Sequence, residues 1–203
     1  MAQKLDYFKE SPSQTAGPYV HIGCLPNMCE IGGVYDDDLG ATMLSDATKG
    51  ERITITGTTY DGTGTALKDA MVEIWQADAD GIYPGGRDPR GPGDPNFPGW
   101  GRKVGDYTTG EWTFETIKPG AVPFPDGRMQ APHITFWLVA RGINVGLQTR
   151  MYFPEDDTAA DPILSRIEHQ NRVPTLIAEK TGEGQYRFDI SLQGDGETIF
   201  FDF

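Results

Sequence analysis

The chain has 203 residues, with 30 acidic against 17 basic side chains and a formal net charge of −13. Phosphate backbones and anionic lipid surfaces repel so acidic a protein, which argues against a nucleic-acid or membrane role. The sequence contains no apolar run of 18 residues, and its N-terminus lacks the apolar stretch of a signal peptide. We therefore expect a cytoplasmic protein.

The 26 glycines and 15 prolines favour short strands joined by turns over long helices. The predicted fold is mainly β, a β-sandwich with long irregular loops and one short helix. Residues 1–50 are turn-rich and form an N-terminal arm that lies on the domain itself or on a neighbour. Residues 51–203 form the sandwich domain.

Strand patterns follow one another closely along the second region. The predicted strands are 52–56, 71–75, 112–117, 133–140, 149–153, 186–192 and a last strand from Glu197 to Phe203. Asp161 as an N-cap and Pro162 at the first helical position predict the short helix, over about 162–170. The long Gly- and Pro-rich loop from Gly81 to Gly101 is of a kind that is usually functional.

Several common functional motifs are missing from the sequence. No Gly-x-Ser-x-Gly occurs, and the Gly-Asp-Gly-Glu run at 194–197 lacks the Lys and the helix of a phosphate-binding loop. The acidic runs at 36–38 and 78–81 lack the twelfth-position Glu of a calcium loop. Cys24 and Cys29 are a metal pair, a disulfide or two free thiols, and the third interpretation is favoured because no second pair accompanies them.

Two residues of the predicted strand 133–140 and its end are candidates for a site. His133 is either a metal ligand or a buried histidine bonded to backbone, and the next side chain on its face is Thr135, a poor metal ligand. Arg141 is either a surface charge or a guanidinium that binds a carboxylate through two hydrogen bonds. The small residues of Thr15-Ala16-Gly17-Pro18 would let a ligand approach the backbone, although many loops share this composition.

Runs along most of the chain resemble the intradiol ring-cleaving dioxygenases, and in particular their alpha type of chain. These runs are Ser13 to Gly23, Glu73 to Asp78, Gly81 to Tyr83, Asp94 to Phe97, Thr116 to Gly120, Ala131 to Ile134, Ala140 to Asn144, Thr149 to Phe153 and Tyr186 to Ile190.

The resemblance implies which residues would hold a metal. Iron-binding members use two Tyr and two His as ligands to non-haem Fe(III). Carried over to this chain, the His-x-His pair becomes His133 and Thr135, and one Tyr position falls at Val122. The other falls near Pro89, in a stretch without Tyr. The resemblance thus implies that this chain holds no metal, with His133 a vestigial ligand position and Thr135 and Val122 at lost ones.

The resemblance also implies a partner, a homologous beta chain that carries the Fe(III), and an active site where the two chains meet. This chain would then contribute no catalytic residue. Thr15, Ala16, Gly17 and Pro18 would form part of the substrate cavity, and the arm would pack on both the domain and the partner. Arg141 would attract the substrate's carboxylate.

The implied reaction is O2-dependent cleavage of protocatechuate to 3-carboxy-cis,cis-muconate, in the beta-ketoadipate pathway of aromatic catabolism. Two other interpretations stay open on the residues alone. One is a non-catalytic β-sandwich binding module, and the other is a homomeric enzyme with a different metal.

Overall fold

A computed structural model describes residue 17 and residues 19–143 and 146–202 of the chain. In chain order its elements are helix α1 (Tyr19–Cys24), strands β1 (Arg52–Tyr60), β2 (Met71–Trp75), β3 (Trp100–Val104), β4 (Glu111–Ile117), β5 (Val122–Pro123), β6 (Met129–Gln130), β7 (His133–Val139) and β8 (Leu147–Tyr152), two 3₁₀ segments (Leu164–Arg166 and Gln170–Leu176), and strands β9 (Glu179–Gly182), β10 (Gln185–Arg187) and β11 (Ile190–Ser191). The fold is mainly β, which confirms the predicted class. No helix in the described part of the chain is long and apolar enough to cross a membrane.

Two sheets pack face to face. In the first, β1 pairs antiparallel with β4 and parallel with the short strands β10 and β11. The second is antiparallel, in the order β3-β2-β7-β8. Alternation turns Ile134, Phe136 and Leu138 of β7 inward, where they are buried. The Phe136 ring lies 5.5 Å from that of Trp112 on β4, measured between centroids, so the core joins the two sheets.

The predicted strand 186–192 is divided into β10 and β11 by two residues that leave the regular ladder. A Cβ on Gly57 of β1 would come within 2.1 Å of the Phe188 carbonyl oxygen, so the two backbones approach very closely there. The Asp189 carboxylate accepts the Thr58 N–H at 2.9 Å, in place of a backbone carbonyl. A side chain therefore interrupts the ladder, which the alternating pattern does not reveal.

The predicted α-helix over 162–170 is wrong in type and extent. Asp161 does cap a turn, since its Oδ1 accepts two following backbone N–H groups at 2.8 and 2.9 Å. The predicted span contains the 3₁₀ turn Leu164–Arg166 and only the first residue of a second 3₁₀ segment, Gln170–Leu176. The side-chain amide of Gln170 donates to two carbonyl oxygens in and just after that turn, at 2.9 and 2.7 Å, and so takes acceptors that a longer helix would use.

The segment from Glu197 onward, predicted as a strand, forms no regular strand up to residue 202, where the described chain ends. Phe201 makes a single antiparallel bridge with Gln148. Thr198 bonds Ser191 twice, through its backbone N–H at 2.9 Å and through its hydroxyl oxygen at 3.0 Å. Isolated hydrogen bonds, from both backbone and side chains, thus fix this segment without a ladder.

Asp78 organises the Gly- and Pro-rich loop that follows β2. Its buried carboxylate accepts three backbone N–H groups of the loop, at 2.8 to 3.0 Å. Gly81 has a φ of 73°, and a Cβ there would lie 2.0 Å from the Ala121 carbonyl oxygen, so only glycine fits. The last two residues of the predicted loop, Trp100 and Gly101, belong to β3. The glycine and proline content of the segment gave no sign of this strand.

Residues 19–50 of the arm lie mainly on the second sheet. The Arg102 N–H of β3 donates to the Gly40 carbonyl oxygen at 2.9 Å. Met43 enters the main core, and Leu25 packs against β2 and β3 in a smaller cluster. The domain boundary at residue 50 stays a prediction.

Candidate functional site

Strand β7 separates the two site features that the sequence suggests. His133 is its first residue, and Arg141 lies two positions beyond its last residue, Val139. At about 3.3 Å per residue, this stretch of extended chain spans about 26 Å. His133 and Arg141 therefore belong to two separate sites within this chain.

His133 is 1% exposed, and both of its ring nitrogens are engaged. Nδ1 lies 2.8 Å from the Ala131 carbonyl oxygen, which can only accept, so Nδ1 carries the proton. In the neutral ring Nε2 is then an acceptor, and the Tyr83 hydroxyl donates to it at 3.2 Å. The Tyr83 ring stacks on Trp75, with 5.8 Å between centroids. The lone pair with which Nε2 would bind a metal is occupied by this hydrogen bond.

Thr135 follows His133 on the same face of β7 and lies opposite Arg150 in the ladder with β8. Arg150 Nη1 donates to the Gln130 side-chain oxygen at 2.8 Å. Gln130 pairs in turn with buried Val122 in the β5–β6 hairpin. Strand pairing thus brings the three carried-over ligand positions into one neighbourhood. We call the set His133, Tyr83, Thr135, Gln130 and Arg150 the His133 cluster.

The imidazole and the phenol of the His133 cluster are both uncharged at neutral pH. Burial, and secondly the positive charge of Arg150, lower the pKa of His133 from 6.5 to about 4. Burial also raises the pKa of the Tyr83 phenol above its usual value, although Arg150 opposes this change. The cluster therefore contains a neutral imidazole, a neutral phenol and one guanidinium cation.

The His133 cluster does not fit a ferric ion. Thr135 and Val122, at two of the positions to which the resemblance assigns metal ligands, offer no imidazole or phenolate. The one imidazole has its Nε2 engaged by Tyr83, and the guanidinium of Arg150 repels a cation. Within residues 19–143 and 146–202, no three His, Cys, Asp or Glu side chains come together as a metal site.

Arg141 lines a cavity of about 480 Å³ at the other end of β7. Its side chain is 70% exposed and forms an ion pair with Asp69, in which both Nε and Nη2 donate to Oδ2. The remaining wall comes from the arm and from the loop after β3: Ile22, Met28, Cys29, Glu30, Ile31 and Tyr107. We call this site the Arg141 cavity. The wall therefore combines one guanidinium, the carboxylates of Asp69 and Glu30, and several apolar side chains.

Of the four predicted arm residues, Gly17 is described, whereas Thr15, Ala16 and Pro18 lie outside the described residues. The Gly17 carbonyl oxygen accepts the Val20 N–H at 3.1 Å, at the start of α1. Helix α1 carries Ile22, which lines the Arg141 cavity. Gly17 is thus connected to the cavity wall through one short helix.

Comparison with known proteins gives consistent results. A family model described as Dioxygenase matches residues 26–194. The protocatechuate 3,4-dioxygenase alpha chain of Pseudomonas putida is 42% identical to this chain in an alignment 207 residues long, gaps included. The alignment covers 98% of this chain and 99% of that protein. The beta chain of the same enzyme from Burkholderia cepacia is 37% identical over 177 residues, or 82% of this chain and 75% of that one.

A solved structure, an intradiol ring-cleavage dioxygenase from Tetranychus urticae, has a similar fold. Its TM-score is 0.56 at 21% identity, over 78% of this chain and 89% of that one. The chain belongs to the dioxygenase family, in its intradiol ring-cleaving branch. This confirms the resemblance seen in the sequence. The family depends on non-haem iron.

Three residues of these sites are not evident from the sequence. Tyr83 belongs to a run that resembles the family, but nothing local shows that it bonds a histidine 50 positions away. Arg150 lies in a predicted strand, and its place opposite Thr135 depends on the register between β7 and β8. Asp69 carries no sequence signal, because its role depends on the pairing of β2 with β7.

Proposed function

We propose that this chain is the non-iron-binding alpha subunit of a hetero-oligomeric protocatechuate 3,4-dioxygenase. The reaction is O2-dependent intradiol cleavage of protocatechuate to 3-carboxy-cis,cis-muconate. The separation of the two sites along β7 carries the proposal. We take the His133 end as the family's metal position without a fitting ligand set, because His133 is bonded to Tyr83 there, and we take the Arg141 end as the wall of a cavity for an aromatic carboxylate. A second chain would supply the metal.

The proposed partner is a homologous beta chain that holds non-haem Fe(III) with two Tyr and two His. The support is that both an alpha and a beta chain of protocatechuate 3,4-dioxygenase are similar to this chain, the alpha chain over nearly its full length. In the partner, the ion would act as a Lewis acid that binds the two catechol oxygens.

In this proposal the present chain contributes one wall of a shared substrate cavity. Arg141 pairs with the substrate's carboxylate, because its planar guanidinium can donate two parallel hydrogen bonds to a carboxylate. Its positive charge also attracts the anion locally, although the whole chain has a net charge of −13. The backbone of the segment Thr15-Ala16-Gly17-Pro18 forms another part of the wall. The arm that carries these residues packs on the partner as well as on its own domain.

We also propose a cytoplasmic location, in a pathway of aromatic catabolism. The support for the location comes from the two cysteines. Cys24 and Cys29 are both free thiols. Free thiols persist in a reducing compartment, whereas oxidising compartments favour disulfides.

The first test is to purify the chain alone and together with a beta chain, and to measure bound iron and visible absorption. The isolated chain is expected to lack stoichiometric iron and the tyrosinate-to-iron absorption band, while the assembly has both and cleaves protocatechuate. Stoichiometric iron with that band in the isolated chain would overturn the proposal. Size-exclusion chromatography adds a second readout. An independent binding module would elute at the same volume with and without the beta chain, whereas a subunit would elute with it as a larger complex.

The second test is Arg141→Ala in the assembled enzyme. Hydrogen bonds to charged groups contribute about 1.5–3 kcal/mol, so KM for protocatechuate is expected to rise about 10- to 100-fold. Catechol, which has no carboxylate, should show little change. Arg128→Ala is the matched control, since Arg128 forms a comparable exposed pair with Asp126. Equal effects of Arg141→Ala on both substrates would remove Arg141 from substrate binding.

A further inference from the structure

Asp69 and Arg141 occupy facing positions just beyond the ends of two adjacent strands. Strands β2 and β7 are antiparallel, and Met71 lies opposite Val139. The same register, continued by two residues, places Asp69 opposite Arg141. Both residues lie in turns that adjoin these strand ends. The ion pair between their side chains therefore joins the turn before β2 to the turn after β7.

The contact uses one particular edge of the Arg141 guanidinium. Nε and Nη2 both donate to Oδ2 of Asp69, Nε at 2.5 Å. The Asp69 side chain is the more buried partner, 23% exposed against 70% for Arg141. A guanidinium has five N–H donors in a planar fork. With the Nε–Nη2 edge taken by Asp69, the Nη1–Nη2 edge is the one that can meet a second carboxylate.

We infer that Asp69 is a positioning residue that fixes Arg141, so that the Nη1–Nη2 edge of the guanidinium meets the substrate's carboxylate in the Arg141 cavity. This inference rests on the proposed function, in which Arg141 binds that carboxylate. Without Asp69, the long and exposed Arg141 side chain would sample many rotamers, and ordering it would oppose substrate binding.

Asp69 has a second, opposite effect, because its negative charge weakens the attraction between Arg141 and an anion. Solvent and salt screen this effect at an exposed site. The orientation of Arg141 depends on its two hydrogen bonds to the carboxylate of Asp69, the more buried partner, and on the turns that carry both residues. The net effect of Asp69 is therefore to favour binding of the carboxylated substrate.

The test is Asp69→Ala in this chain, assembled with the beta chain, with kinetics on protocatechuate and on catechol. We expect KM for protocatechuate to rise about tenfold with kcat changed by less than about twofold, and no change for catechol. The matched control is Asp126→Ala. Asp126 accepts from Nε and Nη2 of Arg128 through one oxygen, at 3.1 and 2.8 Å, which is the same arrangement outside the cavity. This control should leave both substrates unaffected.

A double-mutant cycle separates positioning from a general structural role. If Asp69 acts through Arg141, then Asp69→Ala has no further effect on KM in an Arg141→Ala background. Asp69→Asn retains the shape and one acceptor oxygen, so it should raise KM less than Asp69→Ala. It also provides a second variant if the alanine variant fails to assemble.

Three results would overturn the inference: additive effects in the cycle, an equal effect of Asp69→Ala on both substrates, or a lower KM for protocatechuate. The role of Arg141 and the role of Asp69 can be tested separately. If Arg141→Ala does not discriminate between the substrates, the proposed role of Arg141 fails and the inference fails with it. If Arg141→Ala discriminates and Asp69→Ala does not, only the inference fails.

Discussion

The Tyr83 hydroxyl donates a hydrogen bond of 3.2 Å to Nε2 of His133, and this bond joins the loop after β2 to the first residue of β7. The Tyr83 ring is held by its stacking on Trp75. A residue of the chain itself therefore occupies the nitrogen that a metal would need. Both ring nitrogens of His133 are therefore hydrogen-bonded within the chain, and the loss of either bond should lower the free energy of unfolding.

Tyr83→Phe is expected to destabilise the chain, because Nε2 of buried His133 loses its donor. An unsatisfied buried acceptor costs about 1–3 kcal/mol, and we expect the free energy of unfolding in urea to fall within that range. Tyr107→Phe is the control, since Tyr107 is 52% exposed and its hydroxyl lies 3.8 Å from the Cys29 sulfur. Equal losses in the two variants would contradict the role given to Tyr83.

Acid should destabilise the chain through His133. Burial lowers its pKa in the folded state to about 4, below the unfolded value of 6.5, so the unfolded chain takes up the proton first as the pH falls. The stability that His133 contributes is complete above about pH 6.5 and is lost progressively toward pH 4. The full difference is about 3 kcal/mol.

This pH dependence can be checked by urea unfolding at pH 7 and pH 4.5. His133→Asn should be less sensitive to pH than the unaltered chain, whereas His169→Asn, at an exposed position, should match the unaltered chain. If His133→Asn and the unaltered chain lose the same stability between these two pH values, another group causes the loss.

Asp161 should contribute strongly to stability although no helix of the predicted length follows it. Its carboxylate accepts three backbone N–H groups, two in the following turn and that of Ala131 at 2.8 Å. Asp161→Ala leaves these donors buried and unpaired, which should lower the unfolding free energy by about 3 kcal/mol or more. Asp157→Ala removes an exposed carboxylate with a single such bond, to Ala159, and should cost well under about 1 kcal/mol. Similar losses in both variants would show that burial of the carboxylate is unimportant.

Gly81→Ala and Gly86→Ala separate backbone strain from steric overlap. The two glycines have nearly equal φ angles, 73° and 70°, but only a Cβ on Gly81 meets another atom, the Ala121 carbonyl oxygen. Gly86→Ala should cost about 1 kcal/mol through the left-handed backbone alone. Gly81→Ala should cost clearly more in the same thermal or urea unfolding experiment. Equal costs would mean that the loop relaxes freely around Gly81.

Much of the fold could be predicted because its cause is local. The apolar run of β7 and the placement of Arg141 just past its end follow from side-chain pattern alone. The prediction of a helix after Asp161 was wrong because of a side-chain contact. The side-chain amide of Gln170 donates to carbonyl oxygens that a longer helix would use. Composition also concealed β3, whose residues follow a loop rich in glycine and proline.

The polar contacts of the two sites could not be predicted, because they depend on long-range geometry. The Tyr83–His133 bond requires the path of a loop that the Asp78 carboxylate sets. The Asp69–Arg141 pair requires the register of β2 against β7. A sequence shows which residues are able to make such bonds, but the partners become evident only when the strands are paired.

The length of β7 limits where the protein can tolerate insertions and deletions. Side chains alternate along a strand, so inserting or deleting one residue between His133 and Val139 would turn one end of the strand over relative to the other. Either the imidazole would face the hydrophobic core or the Asp69–Arg141 pair would come apart. We therefore expect homologous chains to differ in length within the loops and to keep the number of residues between these two positions unchanged.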